Sequence, residues 1–336
     1  AEGRPVSIRF RTPDEGRSTF EDAVRGEVSV EWSQIADFVI VRTNGTPVFF
    51  LANAVDDIDM RITHVLRGSD LLDSTHRVLA LRNALGGDAP PVYAHLPLIT
   101  GPGGAKLSKR HGAQNVEEFR DAGYLSRAVV NYLSLLGWAP GDDREVMEID
   151  ELVAEFDITR VKQSAATFDT QKLEWMNAEH IRRLPVEELA GEALPFAKER
   201  YADRLDIRAF EKAVALAQER STTLRQVADQ SEFLFAPDDD FTPAADVIES
   251  IAAIDRAEEV LEVAIAHVET CEWTLDGINM VQLLKDRGFK PRVHMKVLYS
   301  AITGRPAGLP LFDSIHMLGR ESALIRLRGL RERLRS

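Results

Sequence analysis

Residues 62–68 read ITHVLRG, a short β-branched and apolar run that predicts a β-strand closed by a glycine. A helix is predicted to begin near Ser69 or Asp70 and to end at the glycine pair 86–87, because apolar residues recur between these points at helical spacing. A second strand is predicted over residues 92–99. Strand, helix and strand in this order predict a βαβ-like unit, in which ligands usually bind beyond the carboxyl ends of the strands.

A glycine-rich, basic loop follows this unit. Residues 101–104 read GPGG, residues 106–110 read KLSKR, and neither Asp nor Glu occurs from Ala89 to Val116, in a chain of formal net charge −13. Glycines permit positive φ angles, and lysine ammonium groups on long stems can follow a phosphate group that moves during a reaction. By itself the loop is interpreted equally well as a phosphate-binding loop and as a solvated basic turn.

The flanking sequence predicts a mixed α/β part followed by an all-helical part. Apolar and polar residues alternate over residues 6–10 and 28–30, as in half-buried strands. Residues 38–41 and 48–51 flank an Asn44-Gly45 turn signal and are predicted to form a hairpin. Later segments with helical spacing are residues 116–122, 125–136, 149–156, 169–183 and nearly all from 185 onward, with loops at 236–243 and 304–310.

The composition narrows the class of protein. A length of 336 residues predicts two or three domains, and 44% apolar with 28% charged residues is typical of globular proteins. No stretch approaches the ~20 apolar residues of a membrane span, so no membrane partner is expected. The single Cys271 excludes a disulfide framework and a cysteine-based zinc site, and it fits a cytoplasmic location. The N-terminus has neither an apolar signal region nor an initiator Met, which predicts a processed or truncated chain.

Charge is distributed unevenly along the C-terminal part. Residues 232–276 contain thirteen acidic residues and one basic residue, whereas residues 277–336 contain twelve Lys or Arg and four Asp or Glu. Two interpretations are open: acidic and basic helices pair with each other, or the basic segment is an anion-binding face. The arginines at 326, 328, 331, 333 and 335 are expected to form a solvated helix face.

Two polar groups lie near predicted strand ends. Residues 51–57 read LANAVDD, and their Asn and Asp side chains can bind an amine or a hydroxyl group, or can simply form a turn. Arg67 ends a strand and could bind a carboxylate through two parallel hydrogen bonds. Asp70 begins a helix, where an acidic residue is more simply explained as a cap.

Together these segments resemble bacterial glutamyl-tRNA synthetase, a class I aminoacyl-tRNA synthetase. The resemblance covers essentially the whole chain. It is carried by THVLRG at 63–68, by LAN and VDD within 51–57, by AHLPLI at 94–99 with KLSKR at 106–110, by EF at 118–119 and GY at 123–124, by NYL and LLGW within 131–138, and by FD and KLEWMN within 168–177.

The resemblance implies an α/β plus all-α fold. The expected parts are the second half of a Rossmann-type catalytic domain, a helical region that contacts the tRNA stem, and an all-helical anticodon-binding domain. The boundaries are residues 1–45 for a remnant of the acceptor-arm insertion, 46–111 for the catalytic half, 112–184 for the stem-contact region, and 185–336 for the anticodon-binding domain with a break near 236–245.

The resemblance also implies a reaction, its partners and its site. The expected activity is ATP-dependent activation of L-glutamate and its transfer to the 3′ end of tRNA-Glu by a monomer, with Mg²⁺ entering as Mg-ATP and no zinc or other protein-bound metal. The lysine loop is expected to stabilise the ATP phosphates, with Lys109 as the main phosphate ligand and with Lys106 and Ser108 as residues that shape the loop. Asp70 and Leu98 are expected to lie at ATP. The other implied roles are Arg67 at the side-chain carboxylate of glutamate, Asn53 and Phe49 at the amino acid, and Arg220 and Arg305 at tRNA.

Three departures from the family pattern are visible. The first signature of the class, a His-Ile-Gly-His-like motif, is absent, so we expect an N-terminally truncated chain whose own activity is open. Phe49 stands where the family often has a tyrosine, and Ser69 and Arg61 replace a usual glutamate and glycine. A non-catalytic tRNA-binding remnant is the alternative function. The helical C-terminal part distinguishes the chain from glutaminyl-tRNA synthetase, whose C-terminal part is a β-barrel.

Overall fold

The structure, a computed structural model, describes residues 6–104, 115–238 and 241–335. The chain divides into two compact units, one comprising residues 1–114 and 130–170 and the other residues 115–129 and 171–336. The first unit is mixed α/β and the second is helical, which confirms the predicted fold class. Within the described ranges, no helix is long and apolar enough to cross a bilayer.

Strands and helices follow one another in this order. Up to residue 183 they are β1 Ile8–Phe10, β2 Arg17–Asp22, β3 Gly26–Glu31, β4 Phe38–Val41, α1 Phe49–Asp59, β5 His64–Gly68, α2 Thr75–Ala84, β6 Val92–Leu96, β7 Ile99–Thr100, α3 Val116–Asp121, α4 Ser126–Ser134, α5 Ile149–Glu155, β8 Ala166–Thr167 and α6 Thr170–Arg183. The remaining helices are α7 Val186–Tyr201, α8 Ile207–Ala217, α9 Leu224–Gln230, α10 Ala245–Ala252, α11 Ala257–Thr270, α12 Leu275–Ile278, α13 Val281–Asp286, α14 Pro291–Thr303, α15 Leu311–Leu318 and α16 Arg320–Arg335.

The predicted βαβ unit is confirmed in β5, α2 and β6. These strands are parallel neighbours in a sheet of order β3-β2-β6-β5, and Arg67 pairs with His95 in their register. On the other side of β6, β2 is also parallel but pairs only at Asp22 and Tyr93. β5 and β6 therefore end together, at Gly68 and Leu96, as expected for parallel strands, whereas β2 ends at Asp22 beside Tyr93, near the start of β6.

The predicted hairpin of residues 38–41 and 48–51 is confirmed only at its turn, where Val41 bridges antiparallel to Pro47 and Val48 N donates to Ile40 O at 2.9 Å; its second strand is wrong. β4 pairs with β1, and residues 49–59 form helix α1. Phe50, Leu51 and Ala54 have the spacing of one helical face, and they pack against the buried side chains Val78 and Leu81 of α2. Tertiary packing therefore overrides the local strand signal, and residues 51–57, including Asn53, lie on a helix rather than at a strand end.

The predicted strand over residues 92–99 is divided in two. β6 ends at Leu96, and β7 pairs instead with β8, in parallel. Pro97 lies between them, and it packs so closely on Gly137 that a Cβ there would come within 2.6 Å of the proline Cγ. Gly137 also has φ +89°, which favours glycine on backbone grounds. The bend that follows β6 is therefore fixed by a proline–glycine contact.

The second unit has one continuous apolar core, to which α7, α8, α9, α11, α14, α15 and α16 contribute buried side chains. A fully buried asparagine, Asn177, joins segments that are distant in sequence. Its Oδ1 accepts from Leu125 N at 2.8 Å, and its Nδ2 donates to Thr222 O at 2.6 Å. Leu125 N would otherwise be buried without a partner and Thr222 O partly so, and Asn177 therefore stabilises the unit through its two hydrogen bonds.

Candidate functional site

Arg67 is the centre of the candidate site in the first unit. It lies at the carboxyl end of β5 opposite His95 of β6, and its Nε donates a hydrogen bond to His95 Nε2 at 3.1 Å. Its Nη2 donates to Thr75 Oγ1 at 2.7 Å. The guanidinium carbon lies 5.5 Å from the centre of the Tyr93 ring, a cation–π distance. Three neighbours on β6 and α2 therefore hold the guanidinium in one orientation.

His95 is linked in turn to Asp22 at the end of β2. The His95 Nδ1 and Asp22 Oδ2 atoms are 2.6 Å apart, and both side chains are fully buried. Asp22 also accepts hydrogen bonds from the backbone N–H groups of Val24, Arg25 and His95, at 2.9–3.2 Å. These donors come from β6 and from the turn after β2, so the carboxylate joins the two strands at their ends.

The protonation states of this pair follow from burial and hydrogen bonding. Burial, the largest influence, would raise the pKa of Asp22, but the hydrogen bonds from His95 and from three backbone N–H groups outweigh it and lower that pKa. Burial lowers the pKa of His95, against the opposing effect of Asp22. Asp22 is therefore a carboxylate and His95 a neutral imidazole, whose Nδ1 donates to Asp22 and whose Nε2 accepts from Arg67.

A second polar pair lies on α1. Asn53 Nδ2 donates to Asp57 Oδ2 at 2.9 Å, one helical turn away. Burial raises the pKa of Asp57, while the positive charges of Arg82 and Arg67 act to lower it. Arg82 Nε and Nη1 and the Tyr93 hydroxyl are buried and lack hydrogen-bond partners among the described residues. The predicted residues Arg67 and Asn53 are thus in one neighbourhood, which also contains polar groups that protein atoms leave unsatisfied.

The remaining residues predicted to bind ATP or glutamate lie at different places. Asp70 is exposed, and its carboxylate lies so close to Gly68 that a Cβ there would come within 2.5 Å of Oδ1. Leu98 lies between β6 and β7 and is 49% exposed. Phe49 begins α1, is 55% exposed, and has its ring centre 5.7 Å from that of Phe50. The lysine-loop residues Lys106, Ser108 and Lys109 lie outside the described residues.

Sequence reasoning missed four residues that the structure joins to Arg67: Asp22, Thr75, Tyr93 and His95. His95 lies within the quoted run AHLPLI, and its position at the end of a strand predicted to neighbour that of Arg67 is the signal that could have identified it. Asp22 gave no such signal, because it contacts His95 across 73 positions of sequence. Within the described ranges, no cluster of His, Cys, Asp and Glu side chains is placed to hold a metal ion.

The second unit places the two predicted tRNA-binding arginines near each other. Arg220 Nη1 donates to Gly308 O at 3.0 Å, three residues beyond Arg305. Arg305 Nη2 pairs with Glu232 Oε2 at 2.9 Å, and the other oxygen of Glu232 accepts from Arg200 at 2.9 Å. Both Arg220 and Arg305 are exposed. They belong to one surface patch, which we call the Arg220–Arg305 patch and which also contains Arg200, Asp229 and Glu232.

Helix pairing accounts for part of the charge asymmetry of the C-terminal part. Arg328 of α16 pairs with Glu269 of α11 at 2.6 Å, and Arg335 pairs with Glu258 and with Glu262 of α11. The expectation that Arg326 belongs to a solvated face is wrong. It is 3% exposed and donates to Asp238, Ile302 O and Ala236 O, because it anchors the segment that precedes α10.

Comparison with known families agrees with this architecture. The family described as tRNA synthetases class I (E and Q), catalytic domain, matches residues 1–175, and the anticodon binding domain matches residues 188–331. The chain therefore belongs to the class I aminoacyl-tRNA synthetases. Its parallel β5-α2-β6 unit with a fixed arginine, and the all-helical unit that follows, agree with this class.

Individual relatives identify the family within this class. The chain is 40% identical to the glutamate–tRNA ligase of Kineococcus radiotolerans, over 99% of this chain and 69% of the relative, and 40% identical to that of Dehalococcoides mccartyi, over 95% and 67%. It superimposes with a TM-score of 0.84 and 28% identity on a glutamate–tRNA ligase from Elizabethkingia meningosepticum crystallised with its amino acid, covering 98% of this chain and 69% of that one. The chain belongs to the glutamate–tRNA ligase family.

Proposed function

We propose that this protein is a glutamate–tRNA ligase with ATP, L-glutamate and tRNA-Glu as substrates. In the first step, a carboxylate oxygen of the α-carboxyl group attacks the α-phosphorus of ATP, and pyrophosphate leaves. In the second step, a ribose hydroxyl of the terminal adenosine attacks the resulting acyl group, and AMP leaves. Magnesium enters with ATP as part of the substrate.

The observation that carries this proposal is the fixed guanidinium of Arg67. Nε and Nη2 are engaged by His95 and Thr75, whereas Nη1 has no hydrogen-bond partner among the described residues. The planar guanidinium suits a carboxylate ligand, and its position beyond the carboxyl end of β5 is where ligands bind in parallel sheets. We assign Arg67 to the side-chain carboxylate of glutamate, with Asn53 and Phe49 near the amino acid.

ATP is assigned to the loop that follows β7. Lys109 supplies positive charge to the phosphates while the α-phosphorus reacts, Lys106 and Ser108 shape the loop, and Asp70 and Leu98 border the nucleotide. Little acid–base chemistry is needed in this reaction, because positioning of the reactants and neutralisation of phosphate charge supply most of the rate enhancement.

Recognition of tRNA is assigned to the later parts of the chain. In this proposal residues 112–184 contact the tRNA stem and residues 185–336 contact the anticodon arm, while residues 46–111 perform the chemistry. The Arg220–Arg305 patch is the assigned contact within the anticodon-binding region.

Aminoacylation of purified tRNA-Glu and tRNA-Gln with labelled L-glutamate tests the function. With a segment that carries the first class signature joined to this chain, the expected result is ATP-dependent charging of tRNA-Glu, abolished by Arg67→Ala and by Lys109→Ala. Charging of tRNA-Gln as well would widen the specificity. Tight binding of tRNA-Glu without glutamate-dependent ATP–pyrophosphate exchange would contradict the proposal and support a non-catalytic tRNA-binding role.

A further inference from the structure

We propose that Asp22 and His95 are positioning residues for glutamate recognition: Asp22 selects the His95 tautomer whose Nε2 accepts from Arg67, and this orients the guanidinium toward the substrate carboxylate. This inference rests on the proposed role of Arg67. Neither Asp22 nor His95 is assigned a contact with substrate.

The hydrogen bonds of Arg67 fix the plane of its guanidinium. An arginine side chain has four rotatable torsions, and a bidentate contact requires a defined plane for the guanidinium. Nε–H points at His95 Nε2, and Nη2 is bonded to Thr75 Oγ1, which itself lies 3.2 Å from His95 Nε2. His95 Nε2 is therefore the shared acceptor that sets the guanidinium plane.

The two ring nitrogens of His95 have opposite hydrogen-bonding roles. Only an unprotonated Nε2 accepts from Arg67, so the ring proton must be on Nδ1. Asp22 enforces this, because a carboxylate accepts and cannot donate, and its Oδ2 lies 2.6 Å from Nδ1. Four donors converge on this one buried carboxylate, which keeps it charged. The tautomer that suits Arg67 is thus determined at β2, on the far side of β6.

A second histidine allows the positioning of Arg67 to be distinguished from ordinary buried packing. A second buried histidine, His76 of α2, is bonded through Nδ1 to Ser18 Oγ of β2 at 2.8 Å. This pair is similarly buried and is also anchored on β2, but none of its described hydrogen bonds reaches Arg67. It is therefore a matched control for the effect of disturbing a buried hydrogen bond at this sheet.

The test uses four variants of the full chain together with the control Ser18→Ala. In Asp22→Asn, the amide can donate to His95 Nδ1 and so move the ring proton to Nε2, which then faces Arg67 Nε–H donor to donor. In His95→Asn, the amide nitrogen replaces Nδ1 and the acceptor for Arg67 is lost. In His95→Gln, the amide oxygen replaces Nε2 and the acceptor is retained. Arg67→Lys removes the guanidinium itself.

The readouts are the KM for L-glutamate, the KM for ATP, kcat, the dissociation constant of L-glutamate by calorimetry, and the ¹⁵N shifts of the His95 ring. We expect Asp22→Asn and His95→Asn to raise the KM and dissociation constant for glutamate roughly 10- to 100-fold, the range found when the hydrogen-bond partner of a metal-binding histidine is removed, with little change in the KM for ATP. His95→Gln should retain more glutamate affinity than His95→Asn. The NMR shifts should show the ring proton on Nδ1 in the wild type and on Nε2 in Asp22→Asn.

The outcomes distinguish the inference from the proposed function. If Arg67→Lys leaves glutamate affinity unchanged, the role of Arg67 is wrong and the positioning role fails with it. If Arg67→Lys impairs glutamate binding but Asp22→Asn and Ser18→Ala have equal, small effects, only the positioning role is overturned. Equal losses in His95→Asn and His95→Gln, or a wild-type ring proton on Nε2, would also overturn it.

Discussion

His95 lies directly opposite Arg67 across two parallel strands, and its Nε2 accepts a hydrogen bond from Arg67 Nε at 3.1 Å. The in-register pairing of β5 and β6 therefore does more than close a sheet, because it places a neutral acceptor beside a cation at the carboxyl edge, where ligands usually bind in parallel sheets. Thr75 and the Tyr93 ring complete the surroundings of the guanidinium.

The first prediction concerns Arg67 itself. Arg67→Lys should reduce kcat/KM for L-glutamate by roughly 100-fold or more, because an ammonium cannot reproduce the fork that binds His95, Thr75 and a carboxylate at once. Steady-state aminoacylation with varied glutamate measures the effect. Arg77→Lys on α2 is the matched control, since Arg77 lies over the Phe38 and Phe50 rings rather than in the site. Equal kinetics for the two variants would contradict the assignment.

The second prediction concerns the lysine loop. Lys109→Ala should slow tRNA-dependent ATP–pyrophosphate exchange by roughly 100-fold or more, because a charge that acts on the reacting phosphates is lost. The dissociation constant for tRNA should change little. Lys162→Ala, at an exposed position of the first unit, serves as the control for loss of one positive charge. An unchanged exchange rate in Lys109→Ala would refute the role given to this residue.

The sequence predicted the β5-α2-β6 unit, the helical C-terminal part and the position of Arg67 at a strand end, because these depend on local periodicity and on strand ends. It did not predict α1, because residues 48–51 also fit a strand after the Asn44-Gly45 turn, and only the packing of Phe50, Leu51 and Ala54 on α2 decides between strand and helix. It also did not predict Asp22, whose role arises only when β2 is placed beside β6. Long-range pairing thus supplies the part of the site that the sequence left out.

The third prediction concerns stability at acidic pH. Burial lowers the pKa of both His76 and His95, whereas histidines of an unfolded chain titrate near 6.5. Below that pH the unfolded chain binds more protons than the folded one, so stability is fully present above about pH 6.5 and falls as the pH decreases. His76→Asn should therefore reduce the slope of the free energy of unfolding against pH between about pH 6.5 and 5.

Urea unfolding of the first unit measures this slope. The fluorescence of Trp32 and Trp138 reports on that unit once Trp175 and Trp273 are replaced by phenylalanine. His64→Asn, at an exposed position, is the control. A slope in His76→Asn identical to that of the parent would show that His76 does not contribute to the pH dependence.

The fourth prediction concerns Asn177. Asn177→Ala should destabilise the second unit by about 2–3 kcal/mol, because the buried Leu125 N and the partly buried Thr222 O lose their partner. Thermal unfolding with helix content as the probe measures the change. Asn279→Ala, in the same unit, removes only an exposed hydrogen bond from Val281 N and should change stability less. Equal effects would indicate that the two hydrogen bonds of Asn177 are replaced by water.

The last prediction distinguishes two basic surfaces as contacts for tRNA. In the Arg220–Arg305 patch, Arg200, Arg220 and Arg305 face two carboxylates, those of Asp229 and Glu232, so positive charge is in excess. At the end of α16, the ion pairs among the described residues join one cation, Arg335, to two carboxylates, those of Glu258 and Glu262, so negative charge is in excess within this group. A phosphate is therefore attracted to the first surface and repelled from the second.

Arg220→Gln and Arg305→Gln should each weaken tRNA-Glu binding and reduce the slope of log affinity against log salt concentration by about one, since one phosphate contact is lost. Arg335→Gln should leave both quantities unchanged, because its charge is already neutralised within the protein. Binding measured at several salt concentrations decides between the surfaces. A reduced salt slope in Arg335→Gln, with none in Arg305→Gln, would place the phosphate contacts on α16 and overturn the assignment to the Arg220–Arg305 patch.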